Sequence, residues 1–330
     1  MTGAGRQKIS VAGGQATSPG APAAWQPQRP ARSIHHPVRG LSYHLRCWDA
    51  DDEVSRPDVW LDGERRQPLL FLLHGWMDVS ASFQFVIDAL PRHWRIVAPD
   101  WRGFGRTQRA EVDSYWFPDY LGDLDALLDA FAPGEAVDLV GHSMGGNVAL
   151  LYGGVRPQRV RRIIDLDGLG VAPTHPEQAP ERYAQWLDAL KAGTRLREYP
   201  SRAAVAARLQ RLNPRLPADR AAFLAEHWSC ETGDGQFRLL SDPAHRLPLP
   251  TLYRVDETLA CWRQIEADVL LVTAGLPDER AAFTRAAEWR ERWRAIRSLR
   301  TVTIADAGHM LHHERPLEIA RLITEFLSTP

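Results

Sequence analysis

The chain has 330 residues, which is too long for a minimal domain and within the range of one large α/β domain that carries an insertion. Lysine and arginine together number 40 and aspartate and glutamate 41, so the formal net charge is -1. This balance removes the electrostatic argument for a nucleic-acid or acidic-membrane partner. The cysteines, Cys47, Cys230 and Cys261, are widely spaced and form no CxxC pair, so we expect reduced thiols in a cytoplasmic protein.

The N-terminal segment is rich in Gly, Ala, Pro, Gln and Ser and has almost no periodic apolar pattern. Such a segment buries too little apolar surface to offset the entropy of ordering, so we predict a disordered tail over residues 1–37. No continuous apolar stretch typical of a secretory signal follows Lys8. The run from Leu69 to Leu73 is far shorter than the roughly 20 residues of a membrane-spanning helix, so we expect no membrane partner.

From residue 38 onward, short apolar runs alternate with amphipathic stretches of helical length. This alternation predicts an α/β fold with a mostly parallel sheet flanked by helices. The predicted elements in chain order are strands 41–48 and 68–74, helix 80–90, strand 95–98, helix 118–131, strand 137–140, helix 144–155, strands 160–166 and 269–273, helix 281–296, strand 300–304 and helix 316–327.

The regular alternation stops after Asp167 and returns at Val269. Between these points, residues 171–262 are irregular, rich in proline and helical in pattern. The sequence therefore predicts a mainly helical insertion that divides the α/β core into residues 38–170 and 263–330.

The run from Val137 to Asn147 is typical of a strand, a G-x-S-x-G turn and a helix rich in small residues. Gly141 and Gly145 leave room for the neighbouring chain at a sharp turn. The turn presents the Ser143 hydroxyl at the top of the sheet, with the dipole of the following helix directed at developing negative charge. We predict Ser143 as a nucleophile, and the alternative is an ordinary glycine-rich β-α turn.

A nucleophilic serine needs amide donors for the oxyanion that forms during acyl transfer. The amide after the nucleophile belongs to Met144. The second donor is expected in the loop after an earlier strand, where His74-Gly75-Trp76 follows the predicted strand 68–74. We therefore predict that the Trp76 and Met144 amides form an oxyanion hole.

Two further motifs, D-W-R-G-F-G at residues 100–105 and Gly308-His309, complete a pattern that resembles the α/β-hydrolase superfamily, in its serine branch with a cap domain. The resemblance covers roughly residues 41–327. It implies that the insertion at 171–262 is the cap. In this family the D-x-R-G-x-G turn is structural, so Arg102 is expected to pair locally.

The family's chain order of nucleophile, acid and histidine implies His309 as the general base, in the loop after the last predicted strand. His309 and His313 form an i, i+4 pair, but the H-E-x-x-H motif and a third ligand are missing, so no metal is predicted. We interpret His312 and His313 as surface or packing residues, and His142 as a packing residue that lines the turn.

Two carboxylates fit the family's placements for the acid that orients the histidine. Asp278 follows the predicted strand 269–273 at the usual offset from a glycine, and Asp167 stands at the end of strand 160–166. Chain order and loop position favour Asp278, with Asp167 as the alternative, although Glu279 beside it could take the role. For either aspartate, the non-catalytic interpretation is a solvated loop acid or a helix N-cap.

A serine, a histidine and an oxyanion hole perform acyl transfer. Related haloalkane dehalogenases and epoxide hydrolases place aspartate at the nucleophile position of this turn, which is called the nucleophile elbow. Ser143 therefore argues against both activities. We predict a carboxylesterase-like serine hydrolase that acts on a small, largely apolar ester-like substrate through an acyl-enzyme on Ser143. The alternatives are a carbon-carbon bond hydrolase or an acyltransferase with the same triad, and a non-catalytic ligand-binding member of the fold.

Aromatic side chains are the predicted lining of the substrate pocket, although most cap aromatics are expected to form the cap's own core. The predicted substrate-binding residues are Trp76, Phe83, Trp186, Phe223 and Trp228. No cofactor is predicted because the chain has no phosphate-binding G-x-x-x-x-G-K run and no dinucleotide fingerprint. The sequence does not indicate an oligomeric state.

Overall fold

The computed structural model describes residues 23–49, 69–168, 170–276 and 287–328. An eight-stranded sheet in the order β1-β2-β4-β3-β5-β6-β10-β11 forms its centre, and a three-stranded sheet has the order β7-β9-β8. The strands are β1 (Arg32–Val38), β2 (Leu41–Trp48), β3 (Leu69–Leu73), β4 (Arg95–Pro99), β5 (Val137–His142), β6 (Val160–Leu166), β7 (Glu198–Tyr199), β8 (Ser229–Glu231), β9 (Phe237–Leu239), β10 (Asp268–Ala274) and β11 (Leu299–Ile304).

Within the large sheet, β1 pairs with β2 and β2 with β4 in antiparallel fashion, and all the other pairs are parallel. The predicted α/β fold with a mostly parallel sheet is therefore confirmed. The described helices are α1 (Gln84–Ile87), α2 (Phe117–Phe131), α3 (Met144–Val155), α4 (Ala179–Ala192), α5 (Arg202–Leu212), α6 (Ala218–Trp228), α7 (Val255–Trp262), α8 (Ala287–Trp293), α9 (Leu311–Glu314) and α10 (Pro316–Ser328).

The central strand β3 shows how the sheet divides the apolar core into two layers. Leu69, Phe71 and Leu73 belong to the buried cluster that includes side chains of α2 and α3. Leu70 and Leu72 belong to the cluster on the other face, which includes side chains of α1 and α10. Because both faces of the strand are covered, its sequence is a continuous apolar run rather than an alternating one.

The predicted disordered tail is wrong for residues 32–37, which belong to strand β1. These residues pair with residues 42–47 of β2, with Ile34 opposite Leu45. Burial alternates along the strand, which is the pattern of an edge strand with one face on the core. Few residues of the strand are apolar, since Ser33, His35 and other polar side chains make up most of it. The alternation of apolar and polar residues is therefore short and weak in the sequence.

The predicted disordered tail is also wrong for the segment just before β1, where Trp25 donates to Asp88 and the buried Arg29 donates to the Trp94 carbonyl. Residues 1–22 of the predicted tail lie outside the described residues.

Residues 171–262, between β6 and β10, hold α4 to α7 together with the three-stranded sheet. We call these residues the insertion. Its buried cluster includes Phe223 and Leu224 of α6 and joins Val79 and Phe85 of the core. At the end of the insertion, α7 packs closely on α3. The contact is so close that a methyl group added at Gly154 of α3 would overlap the carbonyl oxygen of Cys261 in α7. None of the helices in the described ranges is long and apolar enough to cross a membrane.

Candidate active site

The G-x-S-x-G turn joins β5 directly to α3. Ser143, between the two elements, has φ 52° and ψ -112°, a conformation that is uncommon for a residue with a side chain. A methyl group at Gly145 would overlap the carbonyl oxygen of Leu73 at the end of β3, and one at Gly141 would overlap the backbone of Gly145. The glycines are thus required by close backbone approach, as the motif predicts.

The side chain of Ser143 is linked to an imidazole and a carboxylate from two other strand ends. The Nε2 atom of His309, in the loop after β11, lies 3.1 Å from the Ser143 Oγ. The Nδ1 atom of the same ring lies 2.7 Å from Oδ2 of Asp167, which follows β6. The three groups therefore form a continuous hydrogen-bonded series of serine, histidine and carboxylate.

Strand β10 fixes the orientation of Asp167. This residue has φ 58°, and its amide donates to the Val272 carbonyl over 2.8 Å. Its Oδ1 atom accepts a hydrogen bond of 2.9 Å from the Ala274 amide, which leaves Oδ2 for His309. Asp278, the acid that the sequence favours, lies outside the described residues. The carboxylate that faces His309 in the structure is that of Asp167, the alternative.

A second aspartate, Asp165, lies fully buried beneath this region. Its Oδ1 atom accepts a hydrogen bond of 2.7 Å from the Gly168 amide. A methyl group at Gly146 would overlap the same oxygen, so Asp165 packs between the start of α3 and the loop that carries Asp167. Burial raises the pKa of the Asp165 carboxyl well above its usual range, which favours the neutral acid.

The loop that contains Trp76 lies against the serine turn. A methyl group at Gly75 would be 3.3 Å from the Ser143 Cβ, so the next amide, that of Trp76, is close to the candidate nucleophile. His74 anchors the loop, because its Nε2 atom accepts a hydrogen bond of 2.9 Å from the Trp101 amide. Met144 is the first residue of α3, where an amide has no acceptor within the helix.

Three further histidines lie buried behind His309. His142 Nε2 is 2.9 Å from the carbonyl oxygen of His309, and the His142 ring is 4.2 Å from that of His312 between centroids. His312 and His313 belong to α9, and each is at most 2% exposed. Burial lowers the pKa of His142 and of His313 well below the usual value for histidine, so both rings are neutral at neutral pH. The packing interpretation of His142 and the packing alternative for His312 and His313 agree with these positions.

The loop of His309 is also tied to the insertion through Glu314. This side chain is 2% exposed, and its Oε2 atom accepts a hydrogen bond of 2.8 Å from the Gly308 amide. Arg215, between α5 and α6, donates from Nε to the same oxygen over 2.5 Å. Arg215 of the insertion therefore contacts the Glu314 carboxylate, which in turn binds the amide of Gly308, the residue before His309.

Ser143 opens onto a cavity of about 280 Å³ between the core and the insertion. Trp76 and Met144 line it from the site itself. The remaining lining residues are Tyr115, Trp116, Phe117, Tyr120, Asn147, Gly170, Val171, Ala244, His245, Leu247 and Leu249.

Of the five predicted substrate-binding residues, only Trp76 lines this cavity. Phe83 is fully buried in the core layer that includes α1 and α10, and Phe223 lies in the cluster that joins the insertion to Phe85. Trp186 and Trp228 are partly buried elsewhere in the insertion. The substrate-binding prediction is therefore not supported for these four residues: none of them lines the cavity, and Phe83, Phe223 and Trp228 pack within or against apolar clusters.

Sequence reasoning missed the aromatic segment Tyr115–Tyr120, which leads into α2 and forms one wall of the cavity. Its cluster of four aromatic residues just before and inside the predicted helix was the available signal. His245 of the insertion was missed as well. Its ring stacks between Phe104 and Tyr115, with centroid distances of 3.8 and 4.0 Å.

A sequence profile of the family described as alpha/beta hydrolase fold matches residues 68–316. The chain is similar to a serine hydrolase-like protein of Danio rerio, with 29% identity over 82% of this chain and 84% of that protein. It is also similar to a 2-(acetamidomethylene)succinate hydrolase of Mesorhizobium japonicum, with 28% identity over 79% of this chain and 88% of the relative. A solved hypothetical protein of Pseudomonas aeruginosa PAO1 matches 90% of this chain and 99% of its own, with TM-score 0.74 and 24% identity.

Proposed function

Because the chain belongs to the alpha/beta hydrolase fold family and is a hydrolase, we propose that it is a serine hydrolase that forms an acyl-enzyme on Ser143. The observation that carries the proposal is the series from Ser143 through His309 to Asp167, with separations of 3.1 and 2.7 Å. Serine at the elbow, where epoxide hydrolases and haloalkane dehalogenases place aspartate, argues against both of those reactions.

In the first half of the reaction, the Ser143 Oγ attacks the substrate carbonyl carbon while His309 Nε2 takes the hydroxyl proton. Asp167 accepts a hydrogen bond from the Nδ1–H group of His309, which selects the tautomer whose Nε2 is free to act as base and stabilises the imidazolium. The carbonyl oxygen becomes an oxyanion that accepts hydrogen bonds from the Trp76 and Met144 amides. We assign the acid to Asp167 in place of Asp278.

The tetrahedral intermediate then collapses, and His309 Nε2 returns its proton to the departing alcohol oxygen as the bond between carbon and that oxygen breaks. Water enters, loses a proton to the same nitrogen and attacks the acyl carbon. Breakdown of this second intermediate releases the acid and restores the Ser143 hydroxyl. The cycle consumes one water and needs no cofactor.

The cavity favours a small, neutral, apolar acyl group. Its volume of about 280 Å³ lies at the lower end of the roughly 300–1,000 Å³ of ligand pockets. Burial lowers the pKa of His245 to about 4, so this ring is neutral at pH 7. No Asp, Glu, Lys or Arg stands among the described residues that line the cavity.

A series of p-nitrophenyl esters from acetate to palmitate tests both the chemistry and the pocket. We expect hydrolysis of short and medium acyl chains and a steep fall for long ones. Ser143→Ala should lower kcat by about 10⁴-fold or more, and a fluorophosphonate should label Ser143 in the folded wild type but not in this variant. Folded wild-type protein that neither reacts with the probe nor hydrolyses any ester would contradict the proposal.

A carbon-carbon bond hydrolase or an acyltransferase would use the same triad, and a non-catalytic member would bind a ligand without turnover. Turnover of vinylogous diketones but not of esters would favour the first, and ester consumption only in the presence of an alcohol acceptor the second. Tight binding without product would favour the third. Cys47, Cys230 and Cys261 are free thiols, and the cytoplasmic location stays a prediction.

A further inference from the structure

We call the loop of His309, after β11, the base loop. Behind it, a group of buried polar side chains takes no part in the proposed hydrolysis. Asp78, His142 and His312 are each at most 2% exposed, and one potential ligand atom from each lies within 4.8 Å of the others. Within the described part of the chain, Asp78 Oδ2, His142 Nδ1 and both ring nitrogens of His312 have no hydrogen-bond partner, and the contact of 3.6 Å between Asp78 Oδ2 and His312 Nε2 is too long for a hydrogen bond. Buried polar atoms are nearly always paired, so this convergence indicates a bound species between the three residues.

The hydrogen bond of His142 prepares its free nitrogen to bind a cation. The carbonyl oxygen of His309, 2.9 Å from His142 Nε2, can only accept, so Nε2 carries the proton of the neutral ring. The lone pair is then on Nδ1, which faces the group. A histidine whose second nitrogen donates to a backbone carbonyl is the usual arrangement of a metal ligand.

Asp78 is prepared in the same way. Its Oδ1 atom accepts a hydrogen bond of 2.7 Å from the Val79 amide and another from the Ser82 hydroxyl. These donors hold the carboxylate in one orientation and leave Oδ2 directed at the histidines. Ligating carboxylates are typically supported by such outer hydrogen bonds.

The spacing of one pair of candidate ligands fits a metal ion better than a water between them. Asp78 Oδ2 and His312 Nε2 are 3.6 Å apart. Two ligands of a tetrahedral zinc ion, with bonds of about 2.0–2.2 Å, are separated by roughly 3.3–3.6 Å. A water that forms tetrahedral hydrogen bonds of about 2.8 Å would separate its two partners by roughly 4.6 Å. The separation of this one pair corresponds to a metal ion. The three ligand atoms together lie within 4.8 Å of one another, so binding of an ion would draw the set closer.

We propose that Asp78, His142 and His312 form a binding site for a divalent transition metal ion such as Zn²⁺ or Co²⁺, and that the bound ion inhibits hydrolysis. Two imidazoles and one carboxylate are ligands that suit these ions.

The inhibition follows from the position of the site between two catalytic loops, and this part rests on the proposed function. A methyl group at Gly75 would be 2.8 Å from His142 Nδ1, so an ion on this nitrogen lies beside the loop of Trp76. The other nitrogen of His142 holds the carbonyl of His309. An ion that pulls His142 toward Asp78 therefore displaces both the candidate oxyanion loop and the base, and the burial of the ligands predicts slow binding.

Titration of chelator-treated full-length protein with Co²⁺ tests the site without substrate. We expect one Co²⁺ per chain with the visible absorption bands of a low-symmetry, four-coordinate ion, and displacement of that ion by Zn²⁺. His312→Gln should weaken Co²⁺ binding at least 10-fold. His313→Gln alters the neighbouring buried histidine outside the ligand set and should retain binding. His309→Ala should also retain it, although this variant loses hydrolysis.

A folded wild type without these bands would overturn the proposal, because water would then satisfy the buried atoms. Ester hydrolysis that is the same with and without saturating Co²⁺ would overturn the inhibition. Loss of binding in His309→Ala but not in His312→Gln would also overturn it, because the ion would then bind the candidate base. If His312→Gln does not fold, as judged by circular dichroism, Asp78→Asn provides the same test. Co²⁺ binding by a protein that hydrolyses no ester would leave the metal site standing and remove the proposed function.

Discussion

The core and the insertion contribute to the candidate site in different ways. The core supplies Ser143, Asp167 and His309 from the ends of β5, β6 and β11, and backbone contacts hold the first two in place. The insertion supplies part of the cavity wall and an ion pair from Arg215 to Glu314. The comparison indicates that backbone contacts of the core position the candidate catalytic groups, whereas the insertion shapes the pocket and contacts the base loop.

The largest expected effect separates the two candidate acids. Asp167→Asn should lower kcat by about 10⁴-fold, because an amide group that donates to Nδ1 leaves the proton of His309 on Nε2, where it cannot accept from Ser143. Asp278→Asn is the matched control and should retain most activity. Steady-state kinetics on one good ester measures both. A greater loss at residue 278 would return the acid to that position and remove the role given to Asp167.

The next effect tests the backbone contact at the elbow. Gly145→Ala places a methyl group on the carbonyl oxygen of Leu73, so we expect a loss of about 3 kcal/mol or more in the free energy of unfolding. Gly233→Ala, in the insertion, meets no atom within 4 Å and should change that free energy by less than about 0.5 kcal/mol. Urea unfolding of both variants gives the comparison, and equal stabilities would show that the elbow tolerates displacement.

A smaller effect is expected at the contact between the insertion and the base loop. Arg215→Met leaves the buried carboxylate of Glu314 without its cation and loosens its hold on the Gly308 amide. We expect kcat to fall about 10-fold with little change in KM, because the base moves while the cavity walls stay in place.

The exposed pair of Arg321 and Glu325 offers the control for Arg215. Arg321→Met should leave kcat unchanged, since such surface pairs contribute about 0–1 kcal/mol. Arg215→Lys should restore part of the activity by keeping the charge. An unchanged kcat in Arg215→Met would mean that the insertion does not position the base.

The elements that the sequence predicted well are those with local signals. The G-x-S-x-G pattern predicts the turn between β5 and α3, because its glycines make close contacts within the turn and with the neighbouring strand β3. The choice between Asp167 and Asp278 depends on pairing with β10, a tertiary contact that leaves no local pattern. In the same way, the local sequence around an aromatic residue such as Phe83 does not distinguish a position in the core from a position in a pocket. Its burial is decided by which layer of the fold covers it.

The smallest expected effect concerns the ring stack that joins the insertion to the core. Burial lowers the pKa of His245 to about 4, whereas in the unfolded chain it titrates near 6.5. The resulting stability is present above pH 6.5 and is lost as the pH falls through about 4, because the unfolded state binds the extra proton.

His245→Phe keeps a ring between Phe104 and Tyr115 but removes the titration. The wild-type free energy of unfolding should therefore fall more steeply than that of the variant between pH 6.5 and pH 4, by less than about 1.4 kcal/mol for each pH unit. Urea unfolding across this range measures the difference, with His175→Gln, at an exposed histidine of the insertion, as the control. Parallel curves for the wild type and His245→Phe would mean that protonation of His245 does not lower the free energy of unfolding. The stack would then not explain any difference between the core and the insertion in their response to pH.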